Sequence, residues 1–232
     1  MTREELRPAE RAALSWIARV GATDAMARGV HAGLAQATTV RRLRDLRRAG
    51  LVEERTPLGD EPPLWRVTPA GGRAVGLSRL GGCRLTPASA PHTLACARAC
   101  AALERRHPDH RPLTERELRA WERGSERPLL CPALEIHHGP AVRVHRPDLV
   151  LWPRAGDGLP VAVEIELTAK SPARLREICR GWARCRLVAG VVYYAAGPAT
   201  RAVRRAVDAT RSQEAIVVVP LEALEKDLSS NA

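Results

Sequence analysis

Apolar positions give the chain a helix-patterned beginning and a strand-rich end. Ala12, Leu14, Ile17 and Val20 share a helical stripe that Pro8 opens and Gly21 closes. Thr23 is placed to cap a second helix running to about Val30, which Gly33 breaks. A third helix is predicted from Gln36 to Ala49, stopped by Gly50. Two short apolar stretches follow, Leu51-Val52 and Leu64 to Val67, separated by a turn-rich loop that allows a hairpin. Thr68-Pro69 then begins a short helix.

From Ser78 to His92 no apolar period survives and Gly, Pro and Ser recur, so residues 81–91 read as a linker between two domains, 1–80 and 92–232. Helical stretches follow at His92 to Arg106 and Leu113 to Arg123. In the second, Thr114 and Glu117 have capping-box spacing. Strand patterns come next at Ala133 to His137, Ala141 to Trp152 and Leu159 to Leu167. Ser171-Pro172 opens a helix with Leu175, Ile178 and Trp182 on one face. A strand from Leu187 to Ala195, a helix from Thr200 to Thr210 and a strand from Ala215 to Pro220 complete the order. It predicts a mixed sheet flanked by helices, of the α+β or α/β class.

Three helices followed by a two-stranded ribbon is the layout of a winged helix-turn-helix, whose third helix reads DNA. Val40, Leu43 and Leu46 are taken as the buried stripe of that helix. Thr38, Arg41, Asp45 and Arg48 then project opposite, with Arg42 and Arg44 flanking. Thr39, in the Thr-Thr start, joins the candidate DNA contacts. Guanidinium groups grip phosphate bidentately or read guanine in the major groove. The alternative is a solvated arginine face.

Charge strengthens the DNA reading. The chain carries 37 Lys+Arg against 26 Asp+Glu, a net charge of +11, which favours a polyanion: nucleic acid first, an acidic membrane surface second. Residues 1–80 hold 14 basic and 9 acidic side chains, residues 81–146 hold 11 and 7, and residues 147–232 hold 12 and 10, so the excess sits toward the predicted DNA reader and the region that follows it. Double-stranded DNA is the expected partner, with a homodimer an admissible arrangement. No leader segment or membrane span is apparent, and a cytoplasmic, nucleoid- or plasmid-associated protein is expected. Six cysteines form no CxxC pair. His92, Cys96 and Cys100 fall on one helix face, as a packing stripe or, with Cys83 or Cys131, a zinc site. Walker-type phosphate loops and Gly-x-Ser-x-Gly elbows are absent.

The most informative stretch is Val-Ala-Val-Glu-Ile-Glu-Leu-Thr-Ala-Lys, residues 161–170. On a strand, Glu164 and Glu166 share one face of an otherwise apolar segment. Like charges so placed repel, and burial adds to the cost. A divalent cation or a cationic partner relieves both. Asp148 precedes Leu-Val-Leu-Trp, and pairing of the two strands through the loop at 153–158 brings it to the same place.

Pro147-Asp148 followed by Glu164-Ile165-Glu166 resembles the PD-(D/E)xK nuclease superfamily, which implies a restriction-endonuclease-like sheet for the second domain. The resemblance implies Mg²⁺ (or Mn²⁺ in its place) held by Asp148 and Glu164, with Glu117 of the preceding helix as a further ligand. Glu166 stands where that superfamily usually has lysine. Lys170, one of two lysines in the chain, lies four residues on and completes the catalytic set Asp148, Glu164, Glu166 and Lys170. Arg11 to Pro220 also resembles the replication-relaxation family, which joins a winged helix to a nuclease-like domain. That resemblance rests on Thr-Val-Arg-Arg-Leu-Arg-Asp-Leu-Arg-Arg-Ala-Gly-Leu-Val, Leu-Thr-Glu-Arg-Glu-Leu-Arg, Arg-Pro-Asp and Glu-Ile-Glu-Leu-Thr. It implies DNA binding connected with plasmid or mobile-element replication, with or without Mg²⁺-dependent cleavage. In the alternative, a non-catalytic regulator, the carboxylates pair with arginines such as Arg143 and Arg146, and the second domain is a binding or oligomerisation platform. His137, His138 and His145 lie near the same strands, as turn or edge residues or as a proton shuttle.

Overall fold

The computed structural model describes residues 6–59, 61–123, 136–138, 141–143 and 145–229. They belong to two compact units, residues 1–106 with 224–232, and residues 107–223. Helices and a five-stranded mixed sheet make the protein an α+β chain.

The first unit opens with α1 (Pro8–Val20), α2 (Ala25–Ala32) and α3 (Gln36–Arg48). Pro8 at the first turn of α1 has no N–H to leave unpaired, and the Glu10 carboxylate accepts from the Arg7 backbone N–H and from its Nε, both at 3.0 Å. Asp24, not Thr23, caps α2, accepting the Ala27 N–H at 2.8 Å. Thr23 instead pairs its backbone with Trp65, which ties the helix entry to the ribbon. Gly33 ends α2 in the left-handed conformation that glycine adopts without cost. The buried stripe of α3 is Thr39, Leu43 and Leu46, an i, i+4, i+7 row, so Val40 is only half-buried.

Strands β1 (Val52–Arg55) and β2 (Leu64–Val67) pair antiparallel, Val52 opposite Val67 and Arg55 opposite Leu64. Thr68 then caps α4 (Pro69–Ala74). Gly71 is required at this junction, because a Cβ there would lie 2.1 Å from the Leu51 carbonyl oxygen.

Helix α5 (Ala90–Arg106) also belongs to this unit. The stretch 81–91 expected as an interdomain linker therefore lies within one compact unit. The reason is long-range. Glu104 of α5 accepts hydrogen bonds from Trp16 Nε1 at 3.0 Å and His31 Nδ1 at 2.6 Å, and pairs with Arg19 at 3.4 Å. Arg98 of α5 grips Asp24 through two nitrogens, at 2.8 and 3.1 Å.

The second unit is built on β3 (His110–Thr114), β6 (Leu149–Pro153), β7 (Val161–Glu166), β8 (Gly190–Ala195) and β9 (Ile216–Pro220), adjacent in that order. Pairings are antiparallel from β3 to β6 to β7 and parallel from β7 to β8 to β9. Between β3 and β6 come α6 (Glu115–Glu122) and a separate antiparallel pair, β4 (Ile136–His138) and β5 (Ala141–Arg143). Helices α7 (Pro172–Arg184) and α8 (Gly197–Thr210) make the two parallel crossovers, and α9 (Glu222–Ser229) follows β9.

Two expectations are corrected here. His110–Thr114, not read as a strand from sequence, forms one edge of the sheet, and the described residues of the expected strand Ala133 to His137 pair with β5 outside that sheet. Pro112 disguises that strand, yet an edge position tolerates its missing N–H. The run Ala141 to Trp152 is also two strands, because His145 to Pro147 are not extended into a ladder. Residues 133–135 and Cys131 lie outside the described residues. The core of the helix-covered face combines Ala162, Tyr193 and Ala195 from the sheet with Leu175, Cys179 and Trp182 from α7 and Val203 from α8.

Candidate functional site

Alternation along β7 sends Val163 and Ile165 to one face and Ala162, Glu164 and Glu166 to the other. That second face lies under α7, so both glutamates are buried at 4% exposure. The antiparallel register of β6 and β7 runs Leu151–Val161, Val150–Ala162 and Leu149–Val163. Asp148, one residue before β6, therefore comes abreast of Glu164. Its Oδ2 accepts the Ile165 N–H at 2.8 Å and clasps the end of the ladder.

Glu164 Oε1 accepts from His145 Nε2 at 2.7 Å and from Trp182 Nε1 at 3.2 Å. The His145 and Trp182 rings also meet edge to face, 6.2 Å between centres. Glu166 forms an ion pair with Lys170, whose side chain is 39% exposed. Four turn- and strand-borne groups thus meet at one end of β7: Asp148, Glu164, His145 and Lys170 act electrostatically on one another.

Burial pushes the Glu164 carboxyl above its usual range; His145 opposes the shift and Asp148 adds to it. For His145, burial disfavours the charged form, but the charge and hydrogen bond of Glu164 outweigh it, so the imidazole pKa is raised. The two shifts have one origin, a buried carboxyl and imidazole in direct hydrogen-bond contact. Burial, reinforced by Glu164, lifts the Cys179 thiol to about 11, so it is unreactive. Tyr193, opposite Glu164 on β8, is raised well above the ordinary phenol for the same reasons.

Glu117 is held apart from this cluster. Its Oε2 accepts from Thr114 N at 3.0 Å and Oγ1 at 3.3 Å, and its Oε1 takes Arg111 at 3.1 Å. It is a helix cap, as the Thr114–Glu117 spacing predicts, and its carboxylate is engaged on the first turn of α6. Arg146 pairs with Glu122 at 2.6 Å, while the ion-pair partners of Glu164 and Glu166 are His145 and Lys170. Sequence reasoning left His145 undecided and took Trp182 for core alone. A hydrophobic-stripe tryptophan whose N–H must find an acceptor was the available signal.

In the first unit, Arg41, Arg42 and Arg44 of α3 are exposed, and no ion pair engages them among the described residues. Arg48 pairs with Asp45, and Arg47 with Glu54. Thr38 is half-buried. Thr39 departs from expectation. It is 2% exposed, with its hydroxyl donated to the Ala35 carbonyl at 3.2 Å, because i, i+4 spacing puts it in the stripe with Leu43. On α5, His92 Nε2 lies 3.5 Å from Cys96 Sγ, while Cys100 is buried.

Residues 15–200 match the replication-relaxation family. The chain belongs to that family. No curated protein and no solved structure matches it. The replication-relaxation match covers the arginine face of α3 and all of Asp148, His145, Glu164, Glu166 and Lys170. No helix among the described residues is long and apolar enough to cross a membrane.

Proposed function

We propose that this replication-relaxation protein binds duplex DNA through its first unit and acts on the phosphodiester backbone through the acidic site of its second, in plasmid or mobile-element replication. The observation that carries the reading is the clasp of Asp148 on Ile165, which sets Asp148 beside Glu164 with Lys170 close by. An antiparallel β3–β6–β7 meander followed by a helix and the parallel β8 supports a PD-(D/E)xK-like core. Three helices with an antiparallel ribbon support a winged helix-turn-helix, whose α3 would lie in the major groove.

The donor set fits a hard divalent cation. Asp148 and Glu164 stand abreast in the β6–β7 register, and Glu164 is a carboxyl whose charge is disfavoured first by burial and then by Asp148, a cost that a bound cation would offset. Asp148 and Glu164 would hold Mg²⁺ there, and the ion would supply Lewis-acid charge and lower the pKa of a bound water. The chain's own residues do the rest. Trp182 and His145 fix the Glu164 carboxylate, Glu166 orients Lys170, and the Lys170 ammonium offers its charge to a scissile phosphate. His145, whose pKa Glu164 raises against the effect of burial, is the titratable group beside the site.

A second reading, a non-catalytic DNA-binding regulator, is favoured by one observation. Glu164 and Glu166 already have cationic partners, His145 and Lys170. Nicking or linearisation of supercoiled plasmid with Mg²⁺ or Mn²⁺, wild type against Asp148→Ala, separates the two. Cleavage by wild type alone supports the enzyme; no metal-dependent cleavage, or equal cleavage by both proteins, leaves the regulator.

A further inference from the structure

A second feature of the first unit lies beside the arginine face of α3. Between α1, the end of α2 and α3 lies a cavity of about 130 Å³. Ala13, Leu34, Leu43 and Leu46 give it an apolar wall, and Thr39 and charged side chains share the lining. A cavity of about 150 Å³ accommodates a benzene ring, so this one is of single-ring scale.

Arg28 lines this cavity and is itself 6% exposed. Its Nη1 is buried with no hydrogen-bond partner, and no carboxylate pairs with it among the described residues. Arg42, also in the lining and exposed, acts on Arg28 with the same sign; Glu104 acts with the opposite sign, but its carboxylate is already taken by Trp16, His31 and Arg19. Burial first, and repulsion by Arg42 second, pull the Arg28 guanidinium down to about 10. Two carboxylates reach the lining, but neither answers Arg28: Glu10 is bound by Arg7, and Asp45 by Arg48. A buried charge without a partner costs free energy that folding alone gives no reason to spend.

We propose that this cavity binds a small organic anion, a carboxylate on a ring-sized apolar body, with Arg28 and Arg42 meeting the carboxylate and the leucines enclosing the body. Guanidinium and carboxylate match in planar geometry, and an anion between the two arginines removes both their repulsion and the orphaned N–H. A duplex phosphate fits less well, since the guanidinium to be met is buried, with an Nη1 closed to solvent. Arg42 also belongs to the face assigned to DNA. If that assignment holds, ligand and DNA alter each other's affinity by the same factor. Binding of the anion itself does not depend on it.

The test uses the full chain without DNA. Benzoate is titrated by calorimetry and by thermal melting at constant ionic strength, beside benzamide and inorganic phosphate. Benzoate is expected to bind at least about tenfold more tightly than either comparator, since only it offers both charge and ring. Arg28→Met and Arg42→Gln should each weaken benzoate about tenfold or more. Arg28→Met should not lower the melting temperature of the free protein, because it removes an unpartnered buried charge. Should Arg28→Met fail to fold, Arg42→Gln, at an exposed position, carries the test. Benzoate binding no better than benzamide or phosphate overturns the proposal, as does unchanged affinity in both variants. Loss of duplex affinity in Arg28→Met with no benzoate binding to wild type would assign the guanidinium to DNA and equally overturn it.

Discussion

Salt dependence gives the sharpest measure of whether α3 is a DNA reader. Each phosphate neutralised on B-DNA contributes about −0.9 to the slope of log affinity against log salt. Arg41, Arg42 and Arg44 are exposed and outside the ion pairs of α3, whereas Arg47 and Arg48 are already occupied by Glu54 and Asp45. Three free guanidinium groups give about −2.7 from this helix, or roughly a 40-fold loss of affinity for a fourfold rise in salt. The double variant Arg41→Gln/Arg44→Gln should make the slope shallower by about 1.8, whatever other contacts contribute. Glutamine is close to arginine in helix propensity, so α3 should persist. Fluorescence anisotropy of a labelled duplex across a salt series reads the slope directly. Arg204→Gln/Arg205→Gln, exposed on α8, removes the same charge from the second unit and should leave the slope near that of wild type. An unchanged slope in the α3 variant, or an equal change in the α8 variant, would refute the reasoning.

Three further outcomes are expected. Mn²⁺ at about a hundred times its dissociation constant should stabilise wild type by about 2.7 kcal/mol, read as a higher melting temperature, and Asp148→Asn or Glu164→Gln should abolish the shift; persistence in both variants would move the metal elsewhere. Glu104→Gln should cost about 2 kcal/mol in urea unfolding, since it weakens charge-assisted bonds from His31 and Arg19. Burial works against the Glu104 carboxylate, but His31 and Arg19 outweigh it and hold its pKa below the ordinary value. The stability it supplies is therefore full above the unfolded pKa and lost as pH falls through the folded one, so the variant's acid destabilisation should be shallower than wild type's. Gly71→Ala should cost about 3 kcal/mol, because its Cβ would sit 2.1 Å from the backbone oxygen of Leu51 and α4 must shift off the ribbon; a change below about 1 kcal/mol would mean the junction yields freely.

The elements that sequence resolves best are those closed by local chemistry. Pro8 and Gly21 bracket α1, Gly33 ends α2, and Thr68-Pro69 starts α4, each through a cap or a left-handed turn within a few residues. Strict alternation of Val161 to Glu166 places both glutamates on one face without further information. What escaped is long-range or ambiguous by one position. Strand β3 is defined by pairing with β6, nearly forty residues on, and Pro112 argues against it locally. Helix α5 is assigned to its unit by Glu104 and Arg98 reaching α1 and α2, which no local pattern of alanines discloses. Thr23 and Asp24 are both good caps, and only the Thr23–Trp65 bridge decides between them. In α3, choosing Val40 over Thr39 as the stripe's first member changes a DNA contact into a buried hydroxyl.

The charges that stability alone does not explain lie at two places. Glu164 is buried beneath Trp182 at the cost of a raised pKa, and an apolar residue there would extend the cluster of Ala162, Tyr193 and Leu175. Arg28 is buried against leucines with a nitrogen unbonded. Elsewhere, buried charge is answered within its own unit: Asp24 by Arg98, Glu117 by Arg111, Glu104 by His31 and Arg19. Replacing a buried charge by a well-packed apolar group is often neutral or stabilising, whereas stranding one is costly. Arg28 is the stranded case, and a ligand of opposite sign is what its surroundings lack. Glu164 is the half-answered case. His145 meets its charge with a proton that can leave, and Asp148 beside it adds a second negative charge. Substituting Arg28 by methionine and Glu164 by glutamine should therefore leave the fold intact while each removes one binding activity, anion and metal respectively, without disturbing the other.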